Sequence, residues 1–478
     1  MPILPRLSPW VCLLLAVLAV LALARGLGLV LHRPLLAVAN NYDQVRYTAC
    51  FDLAPWRPGV PPDRGNPQAP LSRFAFHPLP SDACLATSDA FFTVPVIAAW
   101  RAAEALGGRA IHSVRRLGEW RLLLWFGVAA WATAQLLRAR RADLAAALLA
   151  GFGLLALDPA NTLYLHTFYA EAAAVGGLWF AAAGALAAAA RPTRAALVLV
   201  ALGAALLGGS KLQHLVLPAL LGLAVLAGAG RRQRAIGIAL LAGAVLGLAV
   251  HAIDVVRAPT MARDMSRINR ADFALLVLLP ESSDRARVAD ALDLQPSCAA
   301  WIGHSVYHMT APLERTCPNI DDWSHARLWW LLASDPPAVA RALAHLPRGL
   351  LPWLPTLGVV EGADNAALPP GQPSLGHLLE ASPLRATGLL LLPWFVLGGC
   401  LVLRGRPGAR GFALACATGS TAVALIALLG DGDVELARHA QLAPDFALAS
   451  LGVPLAWLLR RAIPPAMAQA DTASPRAT

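Results

Sequence analysis

The tightest constraint on this chain is the recurrence of long, nearly uncharged apolar stretches between Trp10 and Leu459. A helix needs about 20 apolar residues to cross a bilayer core. In lipid every backbone amide must find its partner within its own segment, so such stretches are read as helices. The pattern predicts spans near residues 9–31, 118–137, 142–158, 169–190, 195–209, 212–230, 235–252, 386–403, 411–429 and 443–459. The expected fold is all-α: a polytopic membrane protein of about ten transmembrane helices with two large outer loops. The stretch from Trp10 to Leu31 is long and no small-x-small cleavage site follows it. It is therefore read as a retained span and not as a signal peptide.

Charge orients the spans. Arg138-Ala139-Arg140-Arg141, Arg191-Pro192-Thr193-Arg194, Arg231-Arg232-Gln233-Arg234, Arg404-Gly405-Arg406 with Arg410, and Arg460-Arg461 all lie in short gaps. Short basic gaps stay on the cytoplasmic side. The net charge of +10 is thus a topology signal. No basic-aromatic stripe points to nucleic acid, which is not expected as a partner. Both termini are predicted cytoplasmic, in a multi-pass protein of the bacterial inner membrane. The chain then divides into a first span (1–31), a first outer loop (32–117), spans two to seven (118–252), a second outer loop (253–385), spans eight to ten (386–461) and a cytoplasmic tail (462–478).

Cysteine placement agrees with an oxidising outer side. Cys12, Cys400 and Cys416 fall in spans, where they serve as packing residues. Cys50 and Cys84 share the first outer loop, and Cys298 and Cys317 share the second. Two within-loop disulfides suit this arrangement, with cross-pairing between the loops left open. The first loop is proline-rich and predicted largely irregular up to an amphipathic helix over 88–106, with Phe91, Phe92, Val96 and Trp100 on one side. That helix lies along the membrane or packs on the outer domain. Helical stretches are expected near 283–294 and 322–346, with Trp323, Trp329 and Trp330 at the membrane interface. No Walker loop, GxGxxG or CxxC motif occurs in the outer loops.

Four polar clusters interrupt this apolar frame, and the topology puts all of them on the outer side. The first is Asn40-Asn41-Tyr42-Asp43-Gln44-Val45-Arg46, just after the first span. The second is His166-Thr167-Phe168-Tyr169-Ala170-Glu171, with Glu171 just inside a span, where a carboxylate is costly unless paired or functional. The third is Ser210-Lys211-Leu212-Gln213-His214, preceded by Gly208-Gly209, which permits a tight reversal. The fourth is Asp431-Gly432-Asp433-Val434-Glu435-Leu436-Ala437-Arg438-His439, between the last two spans. Asp43 suits a general base acting on a hydroxyl held at the membrane surface. Lys211 and Arg438 suit phosphate, the lysine as a point charge and the arginine as a bidentate fork. Arg46, His166, Tyr169, Glu171, Gln213, Asp433 and His439 complete the candidate substrate-binding set. Arg257, Arg263, Arg267 and Arg270, after His251 and Asp254, offer further positive charge to an anionic lipid headgroup. Asp158 reads as a turn residue.

This plan resembles the GT-C superfamily of bacterial integral-membrane glycosyltransferases, in which one span leads to a long outer loop carrying an acidic residue near its start. Asp43 holds that position. More narrowly, His166-Thr167-Phe168-Tyr169-Ala170-Glu171-Ala172, Ser210-Lys211-Leu212-Gln213 and Asp431-Gly432-Asp433 with Arg438-His439 resemble glycan-biosynthesis hexose transferases. The resemblance covers about residues 9–460. It implies a polyprenyl-phosphate-linked sugar as donor, inversion at the anomeric carbon, Asp43 as base, and Lys211, Arg438, His166 and Arg46 near the donor phosphate. The acceptor it implies is an envelope glycan, lipid or protein. Many members carry paired acids at the loop start, whereas Asp43 has no acidic neighbour until Asp52. No residues are assigned to a metal, and a divalent cation stays open as a cofactor.

Two other functions fit the same composition. A transporter or flippase for lipid-linked glycans needs polar residues through the bilayer, and only Arg25 and Glu171 stand out inside spans. A non-catalytic assembly protein of an envelope polysaccharide pathway would tolerate loss of Asp43.

Overall fold

The computed structural model describes residues 8–37, 39, 41–59, 71–78, 84–228, 230, 233–350, 374–375 and 383–463. A described helix falls on every predicted stretch. Five of them are long and apolar enough to cross a membrane: Pro9–Val30, Glu171–Ala190, Arg234–Asp254, Pro407–Asp431 and Leu442–Ala462. Shorter apolar helices occupy Ala142–Ala156, Arg194–Gly208, Leu212–Gly228 and Ala386–Val402.

The elements that position the site are α1 (Pro9–Val30), α2 (Asn41–Thr48), α3 (Ala90–Ala105), α4 (Arg115–Arg138), α5 (Ala142–Gly151), α6 (Pro159–Thr162), α7 (Glu171–Ala190), α8 (Arg194–Gly208), α9 (Leu217–Gly228), α10 (Arg234–Arg257) and α11 (Pro259–Phe273). Local sequence sets their ends. Thr193 caps α8 by accepting from the Ala196 amide at 3.2 Å. Asp158 caps α6, with Pro159 in its first turn, and so ends the third apolar stretch. Asp158 also pairs with Arg25 of α1 at 3.3 Å, which neutralises one of the few charges inside the spans. Small residues bring the helices close: a methyl group on Gly177 of α7 would lie 2.7 Å from the Gly203 carbonyl of α8. A methyl group on Gly247 of α10 would likewise lie 2.9 Å from the Gly208 carbonyl carbon and the Gly209 amide nitrogen. α8 ends at Gly208 and the chain turns at 209–210, as the glycine pair suggested, without a left-handed backbone.

The loop after α1 departs from the all-α expectation. It holds a three-stranded antiparallel sheet of β1 (Leu53–Pro55), β2 (Arg73–Phe76) and β3 (His112–Ser113), in the order β1-β2-β3. Leu53 pairs with Phe76 and Phe74 with His112. Phe74 is fully buried and packs edge-on against Phe168, its ring centre 4.9 Å away. The sheet forms because its apolar side chains have a floor to cover, the 164–172 segment beneath them. The notional irregularity of a proline-rich loop gave no hint of that floor. Disulfides join Cys50 to Cys84 and Cys298 to Cys317, so both pairs are within a loop.

Two aromatic expectations change. In α3, Phe92, Val96 and Trp100 are buried but Phe91 is exposed. Successive helical residues point about 100° apart, so Phe91 leaves the face that Phe92 joins. That face packs inward, with Phe92 against Gly176 of α7. Trp323 is buried, its indole donating to the Leu292 carbonyl at 2.9 Å, and is a core residue of the region after α11. Trp329 and Trp330 remain exposed.

Candidate functional site

The four polar clusters meet. Asp43 sits in the first turn of α2, which three ties hold in place. These are the Leu85 amide donating to the Arg46 carbonyl at 2.7 Å, the Phe168 amide donating to Gln44 Oε1 at 2.7 Å, and the Cys50–Cys84 disulfide just beyond. Glu171 opens α7 at the end of a non-helical segment that Arg121 of α4 organises. Arg121 Nη1 donates to the carbonyls of Tyr164, Leu165 and Thr167 at 3.1, 2.8 and 2.6 Å, and Nη2 donates to Asp89 at 2.5 Å. Lys211 follows α8, and Arg438 lies in the turn after the Pro407–Asp431 helix.

Arg438 is the hub. Its Nη2 donates to Asp43 Oδ2 at 2.8 Å, its Nε to Glu171 Oε1 at 3.2 Å and its Nη1 to Glu435 Oε2 at 2.6 Å. The guanidinium lies 4.6 Å from the Tyr169 ring centre, and the Tyr169 hydroxyl donates to Asp43 Oδ2 at 3.3 Å. Lys211 Nζ meets Glu171 Oε1 at 2.5 Å, and Arg46 Nη1 meets Asp43 Oδ1 at 3.1 Å. Gln213 brackets His439, donating to its carbonyl at 3.1 Å and facing Nδ1 at 2.9 Å. His439 Nε2 lies 3.1 Å from Asp431. Asp43, Arg46, Tyr169, Glu171, Lys211 and Arg438 are therefore one network, with Gln213 and His439 paired beside it.

Two expected members stand apart. His166 is buried with Nδ1 3.2 Å from the Leu36 carbonyl, and its ring fills the space left by Gly118 of α4. Burial is the main cause of a pKa lowered to about 4, and the charges of Arg115 and Arg121 lower it further. A neutral ring locked in this way braces the 164–170 segment and brings no positive charge to a phosphate. Asp433 faces the 345–348 turn, accepting from Arg348 at 2.8 Å with His345 Nδ1 at 3.3 Å. Two of the four arginines singled out after His251 and Asp254 are engaged within the protein: Arg267 Nε donates to Asp321 at 2.6 Å and Arg270 Nη1 to the Trp323 carbonyl at 2.7 Å.

Charge in the network balances: Arg46, Lys211 and Arg438 face Asp43, Glu171 and Glu435. Burial alone would push the Asp43 carboxyl up, but Arg438, Arg46 and Lys211 together hold it well below the usual carboxylate range. Burial works against the Arg438 charge, and Asp43 and the other acids around it more than offset that effect. Burial also lowers the His439 pKa to about 3, with Lys211 and Arg438 adding to it. The network does not suit a divalent cation. Both Asp43 oxygens face arginines, and among the described residues no group of three or more His, Cys, Asp or Glu side chains is placed to hold a metal ion.

Two residues that the sequence reading left without a role support the site, and a third is an acid inside the last apolar stretch. Glu435 is the third acid on Arg438, and Gln44 ties α2 to the 168 amide. Asp445, inside the last apolar stretch, accepts from Asn161 at 3.0 and 3.1 Å. An acid within a span is itself the signal that could have drawn attention to Asp445.

The helices and this buried polar centre define a multi-pass, mostly helical membrane protein. Residues 87–324 are similar to a family described as the YfdI N-terminal transmembrane domain. That stretch carries Tyr169, Glu171, Lys211 and Gln213, while Asp43, Arg438 and His439 lie outside it. No curated protein and no solved structure matches the chain.

Proposed function

We propose that this protein is a glycosyltransferase of the bacterial inner membrane that moves a sugar from a polyprenyl-phosphate donor to an envelope acceptor at the outer face. The observation that carries the reading is the convergence of Asp43 of the short helix α2, Lys211 just after α8 and Arg438 between the last two apolar stretches. Asp43 takes the proton of an acceptor hydroxyl as its oxygen attacks the anomeric carbon. The bond from that carbon to the phosphate oxygen breaks, with inversion. The leaving polyprenyl phosphate takes the electron pair, and Arg438 and Lys211 stabilise its charge. Tyr169 and Glu171 hold those two cations in place, and the lipid tail stays in the bilayer.

A transporter or an assembly protein needs no base. The distinguishing experiment incubates the purified full chain in lipid vesicles with a polyprenyl-phosphate-linked radiolabelled hexose and crude envelope acceptors. Transfer of label with release of polyprenyl phosphate supports catalysis. Movement of the intact donor across the vesicle without release supports transport instead.

A further inference from the structure

Arg438 is saturated by protein carboxylates. Each of its three nitrogens meets a different acid, and the three acids differ in how firmly they are held. Glu171 is buried and bound by Lys211 as well. Asp43 is bound by Arg46 as well. Glu435 bonds Arg438 from three residues away, and its side chain is the most exposed of the three, at 27%. Its backbone is also strained, with φ of 44°, a left-handed conformation that side chains other than Asn and Asp rarely adopt. The preceding Gly432 has φ of 70°, so the 432–435 turn departs twice from ordinary backbone.

Resting on the reading of this site as one for a lipid-linked phosphate, we propose that Glu435 is an internal competitor for the donor phosphate and sets the donor affinity. A buried, charge-balanced cluster cannot accept another anion without releasing one, because an unpaired buried charge is costly. The phosphate takes the Arg438 Nη1 position and Glu435 swings out to water. For the phosphodiester of a sugar-linked donor one negative charge enters and one leaves, no covalent bond changes, and Glu171 and Asp43 keep their second cations. The relaxing turn returns its strain to the exchange.

The test measures binding of farnesyl phosphate, and of inorganic phosphate alone, to the full chain in lipid nanodiscs by calorimetry. Losing one competing charged hydrogen bond is worth roughly a tenfold change in Kd. Glu435→Gln is expected to bind farnesyl phosphate about tenfold more tightly than wild type, again on that scale. Glu435→Gly removes the same carboxylate and suits the left-handed backbone, so it should also bind more tightly while staying folded. Glu314→Gln, which removes a distant surface acid, controls for net charge and should bind as wild type does. Unchanged or weaker binding by both Glu435 variants overturns the proposal, as does an equal gain from Glu314→Gln. Equal gains for inorganic phosphate mean that the headgroup alone drives the exchange, and a gain only for the farnesyl ester means that the chain contributes; either supports the exchange. Failure of the transferase reading is separate. Tighter binding by Glu435→Gln together with full glycan output from Asp43→Asn retains the exchange and removes the catalytic role.

Discussion

Arg438 Nη2 and Asp43 Oδ2 lie 2.8 Å apart although 395 positions separate the two residues in the chain. The contact closes the first outer loop onto the turn between the last two apolar stretches, with Glu171 of α7 completing the triangle at 3.2 Å. One guanidinium thus joins two acids from different helices, each of which also holds a second cation, Arg46 on Asp43 and Lys211 on Glu171.

This predicts strong coupling between Arg438 and its acids. Arg438→Met leaves Asp43, Glu171 and Glu435 short of a cation and should destabilise the protein by about 3–5 kcal/mol, the usual cost of removing one side of a buried pair. Arg438→Lys should recover part of this loss, since a lysine keeps the charge but cannot reach three acids with a planar fork. Thermal unfolding in detergent of Arg438→Met, Glu171→Gln and the double variant measures the coupling. Strictly additive losses contradict the network.

The Cys50–Cys84 bridge bears on function because it ties the chain just after α2 to the residue beside Leu85, whose amide holds the Arg46 carbonyl. Removing it by Cys50→Ser with Cys84→Ser should cost about 2–4 kcal/mol. Activity should fall further than stability predicts, since Asp43 then loses one of the ties on its helix. The corresponding change at Cys298 and Cys317 sits in the other outer region and should lower stability while leaving Asp43 in register. Comparing residual activity at matched folded fractions for the two double variants separates these effects.

His166 makes the fold acid-sensitive. An unfolded imidazole takes a proton near pH 6.5, whereas the buried ring does so only near pH 4. Its contribution to stability is intact above about pH 6.5 and is lost progressively below it, as the unfolded state gains a proton that the folded state refuses. At pH 5 the loss amounts to about 2 kcal/mol. His166→Asn should flatten this part of the stability profile between pH 7 and pH 5. An unfolding temperature that drops as steeply in the variant as in wild type argues against a neutral buried ring.

Much of this architecture is legible in the sequence, and for a definite reason. Lipid forces hydrophobic length and basic gaps into the chain itself, so every predicted stretch coincides with a helix even where the helix is short. The meeting of Asp43, Glu171, Lys211 and Arg438 follows from the same alternation, because residues at one end of neighbouring helices must be close. Partners within that end are not encoded by period or charge. His166 faces Gly118 and Asp433 faces Arg348 because packing, and not topology, decides which side a residue takes. The sheet over Phe74 was hidden for a related reason: a short strand in a proline-rich loop has no periodicity to read, and its stability comes from the Phe168 surface beneath it. In the sequence Glu435 is one of a run of charges between the last two spans, and its left-handed backbone and its bond to Arg438 single it out.

The central claim is that Asp43 is the base. The most direct measurement is envelope glycan output in a deletion strain complemented with wild type or with Asp43→Asn at matched membrane levels. The variant keeps the shape of the side chain and a hydrogen-bond acceptor for Arg438, but it cannot take the acceptor's proton. The account predicts normal protein level with glycan output reduced by roughly a hundredfold or more, the scale of general-base catalysis. Full output from Asp43→Asn would contradict it and would move the function to transport or assembly.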